Sequence, residues 1–388
     1  MHVLRPPAAI LILAAAFTIA IGLPGPATAI ESAARQALLV EMATGAVLFE
    51  KDADDLMHPA SMSKMMTVYM VFERLRDGRL SLDDALPVSE NAWRKGGAKS
   101  GGSTMFLDPG SRVKLEDLIH GIIVQSGNDA CIVVAEALAG SEETFAAEMT
   151  DRARELGLQD TTLRNATGWP HPEHLTTARD LAILARRTIE DFPDFYHYYD
   201  DKVFTYNGIR QTNRNPLLYR DVGADGLKTG HTEASGYGLT ASATRGDRRL
   251  ILVVNGLSSV KERAREAERL VSWGFREFEN YALLKAGEVV TDAEVWLGRD
   301  PVVPLVIEKD LTITLPRKAR REMKVTVRFD GPVPAPIRQG TPLATLSVQA
   351  PGRDPVKVPL VAGADVEQLG IVGRLDAALR HIVWGQSN

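Results

Sequence analysis

Cysteine is almost absent from this chain of 388 residues, and the single copy, Cys131, excludes an internal disulfide. It stands between Asn128-Asp129-Ala130 and Ile132-Val133-Val134, so it reads as a small buried apolar residue. No basic neighbour in sequence would turn it into a catalytic thiolate. Basic surplus is lacking too. Lys and Arg number 45 against 50 Asp and Glu, a net charge of −5, which argues against nucleic acid as a partner. After residue 29 no stretch is long and apolar enough to span a bilayer. A metal set is missing as well. His171 and His174 have H-x-x-H spacing but sit among prolines with no third ligand, so neither a metal nor another cofactor is expected.

What is present begins with a basic start, an apolar run from Ala8 to Leu23, helix breakers and an Ala27-x-Ala29 site. This is the order of a secretory signal peptide over residues 1–29, cut after Ala29. An uncleaved anchor is the rival reading, but the apolar core is short and its exit is rich in proline. Roughly 360 residues would remain, enough for two domains.

Along that remainder, 36–51 reads as a hairpin turning at Met42–Gly45. Pro59 opens a helix with apolar residues at Met62, Met65, Met66, Tyr69, Val71 and Phe72, placing Ser61 in its first turn and Lys64 one turn on. Residues 94–111 read as an exposed loop. Two apolar helices, from Leu115 to Val124 and on to about Leu138, bracket a turn carrying Ser126 and Asn128. The stretch 141–220 reads as helical and polar, with a loop over 165–177 near the cleft mouth. Lys228-Thr229-Gly230 falls on or beside a strand. Two further strands flank Arg245-Gly246-Asp247, and a helix from about Lys261 to Arg276 carries Arg265. From about Tyr281, short alternating segments separated by Pro and Gly predict a small all-β domain, read as a sandwich. Leu369, Val372, Leu375, Leu379, Ile382 and Val383 return to helical spacing, with Arg374, Arg380 and His381 in the remainder and Trp384 at the end. Such a helix either packs on the β domain or lies in a membrane interface.

A serine and a lysine one helical turn apart can act as nucleophile and base if the lysine is kept neutral. Ser-x-x-Lys alone is weak, because it recurs at Ser111–Lys114 and Ser258–Lys261. The ordered triple Ser61–Lys64, Ser126-Gly127-Asn128 and Lys228-Thr229-Gly230 is strong, as these motifs mark penicillin-recognising serine enzymes. Ser89-Glu90-Asn91 and Lys99-Ser100-Gly101 mimic its later members, but no buried helix leads into them.

The flanking text, including Thr177-Ala178-Arg179-Asp180, Asn213-Arg214-Asn215 and His231-Thr232, is similar to low-molecular-mass penicillin-binding proteins that act as serine-type D-alanyl-D-alanine carboxypeptidases. The resemblance implies an α+β fold with a β-lactamase/transpeptidase-like domain, an antiparallel sheet flanked by helices plus a helical subdomain, over 30–278. A small all-β sandwich over 279–363 and an amphipathic helix over 364–385 would follow. It implies removal of the terminal D-alanine from peptidoglycan stem pentapeptides, acylation by β-lactams, and a periplasmic enzyme held peripherally on the outer face of the cytoplasmic membrane. Ser61 would attack, Lys64 would be the base with Lys228 repelling its proton, and Ser126 would relay the proton. Asn128 would bind the substrate amide, His231 would share the oxyanion hole with Ser61 through backbone N–H groups, and Lys228, Thr229 and Arg265 would hold the terminal carboxylate. A β-lactamase of the same fold is the alternative. It is disfavoured because no Glu-x-x-Asn lies between Asn128 and Lys228. A non-catalytic β-lactam sensor or cell-wall module is the other, and the intact motifs argue against it.

Overall fold

The computed structural model describes residues 30–373 and 375. The expected signal peptide and half of the expected terminal helix, 374 and 376–385, lie outside them; of the described half, 364–370 is non-helical and only 371–373 and 375 are helical.

The strand Arg248–Leu257 explains the architecture best. Its residues Leu250 to Val254 are all buried, an unbroken apolar run that only a sheet covered on both faces can absorb. It lies at the centre of a five-stranded antiparallel sheet, in the order Val47–Lys51, Gln36–Glu41, Arg248–Leu257, Gly236–Arg245, Ala224–Thr232. Alternation sorts the side chains. Leu38, Ile251 and Val253 join the core formed by the helices, whereas Leu39 and Leu250 meet Gly274 of the helix Val260–Glu277 on the other face. A side chain at 274 would collide with Leu39 Cδ2 at 2.7 Å, so glycine lets this helix sit close to the sheet.

On the first face the helix Lys64–Arg76 is buried continuously from Lys64 to Phe72. It packs on Asn128–Ala139, Glu142–Glu155 and Ala178–Asp191. Ser61 is not in its first α-helical turn as the spacing predicts. It sits in a 3₁₀ turn, Ala60–Ser63, and Lys64 opens the α-helix. The apolar run after Leu115 is also not one uniform helix. Leu115–His120 is α-helical and widens into a π turn over Gly121–Gln125 before Ser126 takes a left-handed conformation.

The segment 94–111 differs from the expected exposed loop. The helix Glu90–Gly96 runs into it, and Thr104, Met105 and Leu107 are buried. The cause is Asp129, whose carboxylate accepts from Thr104 Oγ1 (2.5 Å), Met105 N (3.0 Å) and Leu107 N (3.2 Å) and so draws the loop inward. The stretch 141–220 also contains a hairpin, Val203–Tyr206 with Ile209–Thr212, not anticipated from its polar composition.

From Phe278 the chain is β-structured. A six-stranded sheet (Lys324–Arg328, Pro342–Gln349, Val356–Ala362, Val302–Val306, Val289–Trp296, Val333–Pro334) shares a core with the pair Phe278–Leu284 and Leu311–Pro316. Val303, Leu305, Leu346 and Leu360 meet Ile313 and Leu315 there, two layers closing on one apolar centre. Phe278–Leu284 and Val302–Val306 lack the clear alternation that marks the other strands in sequence. At the far end Val366 is buried and bridges Ile337, while Ile371, Val372 and Leu375 are exposed.

Candidate active site

Three pieces of backbone from distant parts of the chain meet at Ser61. The 3₁₀ turn presents its half-buried side chain. Lys64, fully buried, reaches back so that its Nζ stands 2.8 Å from Ser61 Oγ and 2.7 Å from Asn128 Oδ1, and it also donates to the Thr167 carbonyl. The turn between the two apolar helices supplies Ser126 and Asn128, both buried. Ser126 has φ +66°, a strained value for a residue with a β-carbon, and its buried Oγ has no hydrogen-bond partner among the described residues. The strand Ala224–Thr232 brings Lys228 and Thr229, buried, and His231, exposed. Gly230 is required where this strand crosses the turn Ala60–Ser63, because a β-carbon would stand 2.7 Å from the Pro59 carbonyl.

Burial sets the electrostatics. Desolvation lowers the Lys64 ammonium to about 8, with further repulsion from Arg214, against the opposing carboxylates of Asp129 and Glu142. Lys228 is pushed well below the ordinary lysine range, first by burial and then by Lys64 and Arg214. The expected lowering of Lys64 by Lys228 is thus not what removes its proton: the repulsion falls on Lys228, and Lys64 is lowered by its removal from water. Burial also pushes the Cys131 thiol up to about 12, so it stays protonated, as its apolar surroundings in sequence predict.

The cleft above Ser61 encloses about 970 Å³ and is lined by Ser61, Ser126, Asn128, Thr229, Arg214 and Arg263, among others. Arg265 is not one of them. It is exposed, two residues along the helix from the buried Arg263, because a shift of two residues turns a side chain to the opposite helix face. Arg263 lies 5.7 Å over the Tyr237 ring and donates weakly to Gly238 O at 3.4 Å, while His231 stacks on the same Tyr237 ring with centroids 3.9 Å apart. Arg214 is fixed by Ser103 Oγ at 2.6 Å. Arg214, Arg263, Thr167 and Trp169 were not singled out from sequence for the cleft. The one signal that could have found Arg263 is its helical spacing from Ala267, Leu270 and Gly274, which puts it on the buried face.

The mimics of the motifs separate cleanly. Ser111 Oγ donates to Asp108 O and Lys114 pairs with Asp83; Ser258 bonds Glu262; Ser89 caps the helix Glu90–Gly96; Lys99 lies over the Trp93 ring. His171 and His174 line a smaller cavity of about 370 Å³ beside the cleft, together with His58. His174 accepts from Arg164 N at 3.1 Å, and burial holds it down to about 3, so it is neutral. No cluster able to hold a metal ion occurs among the described residues.

Comparison with known proteins gives the family. A family profile described as D-alanyl-D-alanine carboxypeptidase matches residues 25–259, and one for the penicillin-binding protein 5 C-terminal domain matches 278–368. The chain is 40% identical over 345 residues to D-alanyl-D-alanine carboxypeptidase DacC of Escherichia coli, covering 88% of this chain and 86% of that one. It is 33% identical over 344 residues to DacF of Bacillus subtilis, covering 87% of each. Penicillin-binding protein 5 from Haemophilus influenzae superposes with TM-score 0.79 at 35% identity, covering 88% of this chain and 99% of its own. The serine–lysine centre, its strand and the β domain behind it thus belong to the serine-type D-alanyl-D-alanine carboxypeptidase family, and this chain is a member of it.

Proposed function

We propose that this enzyme removes the terminal D-alanine from peptidoglycan stem pentapeptides through an acyl-enzyme on Ser61. The observation that carries the reading is the 2.8 Å approach of Lys64 Nζ to Ser61 Oγ, with the lysine lowered to about 8 by burial. Neutral Lys64 takes the Ser61 proton as Oγ bonds to the carbonyl carbon between the two D-alanines. The negative charge on the carbonyl oxygen is met by the backbone N–H groups of Ser61 and His231. The proton passes by way of Ser126 to the leaving amine, the C–N bond breaks, and D-alanine departs. Water then hydrolyses the ester by the same route reversed. Asn128 aligns the substrate amide, and Thr229, Lys228, Arg214 and Arg263 hold the terminal carboxylate; Arg263 takes the place that sequence reading gave to Arg265. β-Lactams acylate the same serine.

The division into a peptidase domain over 30–278, a β domain over 279–363 and a terminal amphipathic helix belongs to the same reading, as do export to the periplasm and weak peripheral attachment to the membrane by that helix. The exposed Ile371, Val372 and Leu375 support the attachment.

D-alanine release from a pentapeptide ending in D-Ala-D-Ala, with Ser61→Ala as control, tests the activity. No release by the intact protein sinks it.

A further inference from the structure

Lys64 works as a base only if its lone pair faces Ser61. A neutral primary amine has two N–H donors and one lone pair, and here it has three oxygen neighbours: Ser61 Oγ, Asn128 Oδ1 and Thr167 O. Asn128 Oδ1 and Thr167 O can only accept, so they take the two N–H groups. The lone pair is left for Ser61, the one neighbour with a proton to give. Without either acceptor the amine can rotate and present an N–H to the serine instead. Asn128 belongs to a recognised motif. Thr167 does not, and its contribution is a backbone carbonyl, which some other group must aim.

That group is Asn165. Its Oδ1 accepts from Gly168 N (2.7 Å), Thr167 Oγ1 (3.0 Å), Trp169 N (3.1 Å) and Thr167 N (3.2 Å), and its Nδ2 donates to Trp169 O (3.0 Å). One side chain therefore closes residues 165–169 into a single nest. The preceding residue is anchored separately, Ala166 N to Glu142 (3.1 Å) and Ala166 O to Thr67 Oγ1 (2.7 Å), so the nest is hung from two helices. It is pressed against the nucleophile turn: Gly168 has φ +77°, and a β-carbon there would stand 2.0 Å from Ala60 O. We propose that Asn165 is a positioning residue for catalysis, folding this loop so that the Thr167 carbonyl orients the Lys64 amine toward Ser61. The proposal rests on Lys64 being the base for acylation of Ser61.

The test measures the second-order rate constant for acylation by benzylpenicillin from pH 6 to 10, for the full chain, Asn165→Ala and Asn165→Asp, with thermal melting of each. The charged or titratable groups around Lys64 are Asp129, Glu142, Cys131, Arg214 and Lys228, and all are unchanged in the variants. In Asn165→Ala the plateau should fall about ten- to a hundredfold, as misplacement of about 1 Å does. Its midpoint should move to lower pH, because the lost carbonyl favoured the ammonium form. Asn165→Asp keeps an acceptor oxygen and should recover most of the plateau, while its added negative charge moves the midpoint to higher pH. A loss equal at every pH with no recovery in Asn165→Asp, or no loss in Asn165→Ala, overturns the proposal. If Asn165→Ala does not fold, Asn165→Asp decides: a plateau below a tenth of the parent with an unmoved midpoint overturns it. Absence of any Ser61 adduct in the parent chain would instead overturn the proposed catalytic assignment.

Discussion

At the scale of single residues, the decisive fact is that two lysines are stripped of water beside a serine. Folded Lys64 at about 8 lies below the unfolded lysine value, so between about 8 and 10.5 the unfolded chain binds more protons than the folded one. Burying this ammonium therefore costs stability at neutral pH, and the cost is relieved as pH rises through that window. In the proposed mechanism the same shift sets the rate. Acylation by penicillin should rise with pH to a midpoint near 8, about a tenth of its plateau rate being reached at pH 7. A flat profile from pH 6 to 9 would remove Lys64 as the base. Peptide mass mapping should find the penicillin adduct on the peptide containing Ser61, with none on Ser111 or Ser258. The arginines divide similarly. Arg263→Ala should weaken turnover of a free carboxylate by up to about 3 kcal/mol more than that of an uncharged ester, whereas exposed Arg265→Ala should leave both within about twofold. Equal losses from the two substitutions would return Arg265 to the site.

At the scale of elements, the cleft depends on loops drawn inward by buried polar side chains. Asp129 holds 104–107 from the first turn of the helix Asn128–Ala139, next to the residue that touches Lys64. Asp129→Ala would leave several buried donors without acceptors, at about 1–3 kcal/mol each. We expect a loss of roughly 3 kcal/mol in urea unfolding, and a larger fractional loss of acylation than any distant core substitution of equal cost gives. An unchanged urea midpoint would show that the loop stays buried for another reason.

At the scale of the whole molecule, the end of the β domain decides where the chain can be cut. Val366 is buried and pairs with Ile337, Gln368 bridges Gly298, and Leu369 N donates to Leu297 O at 2.9 Å. A cut after Val361 therefore removes core, and should lower the melting temperature of the β domain. A cut after Gly370 spares these contacts. It should release the protein from anionic vesicles and leave carboxypeptidase activity within about twofold, since every cleft residue precedes it. Failure of the longer chain to sediment with vesicles would mark the terminal segment as a packing element.

Alternation and turn residues determined most of the strands, and motif order picked Ser61, Lys64, Ser126, Asn128 and Lys228 out of several mimics. Those signals are local: period two, period three to four, and a fixed spacing of reactive groups. Tertiary structure decided the rest. Which arginine of the helix Val260–Glu277 enters the cleft depends on how that helix is rotated against the sheet, and composition favours neither Arg263 nor Arg265. The burial of 104–107 and the aim of the Thr167 carbonyl depend on Asp129 and Asn165 finding backbone donors in the folded chain. No pattern in the sequence announces a bond between a side chain and a main-chain group, because every residue but proline offers the same donor.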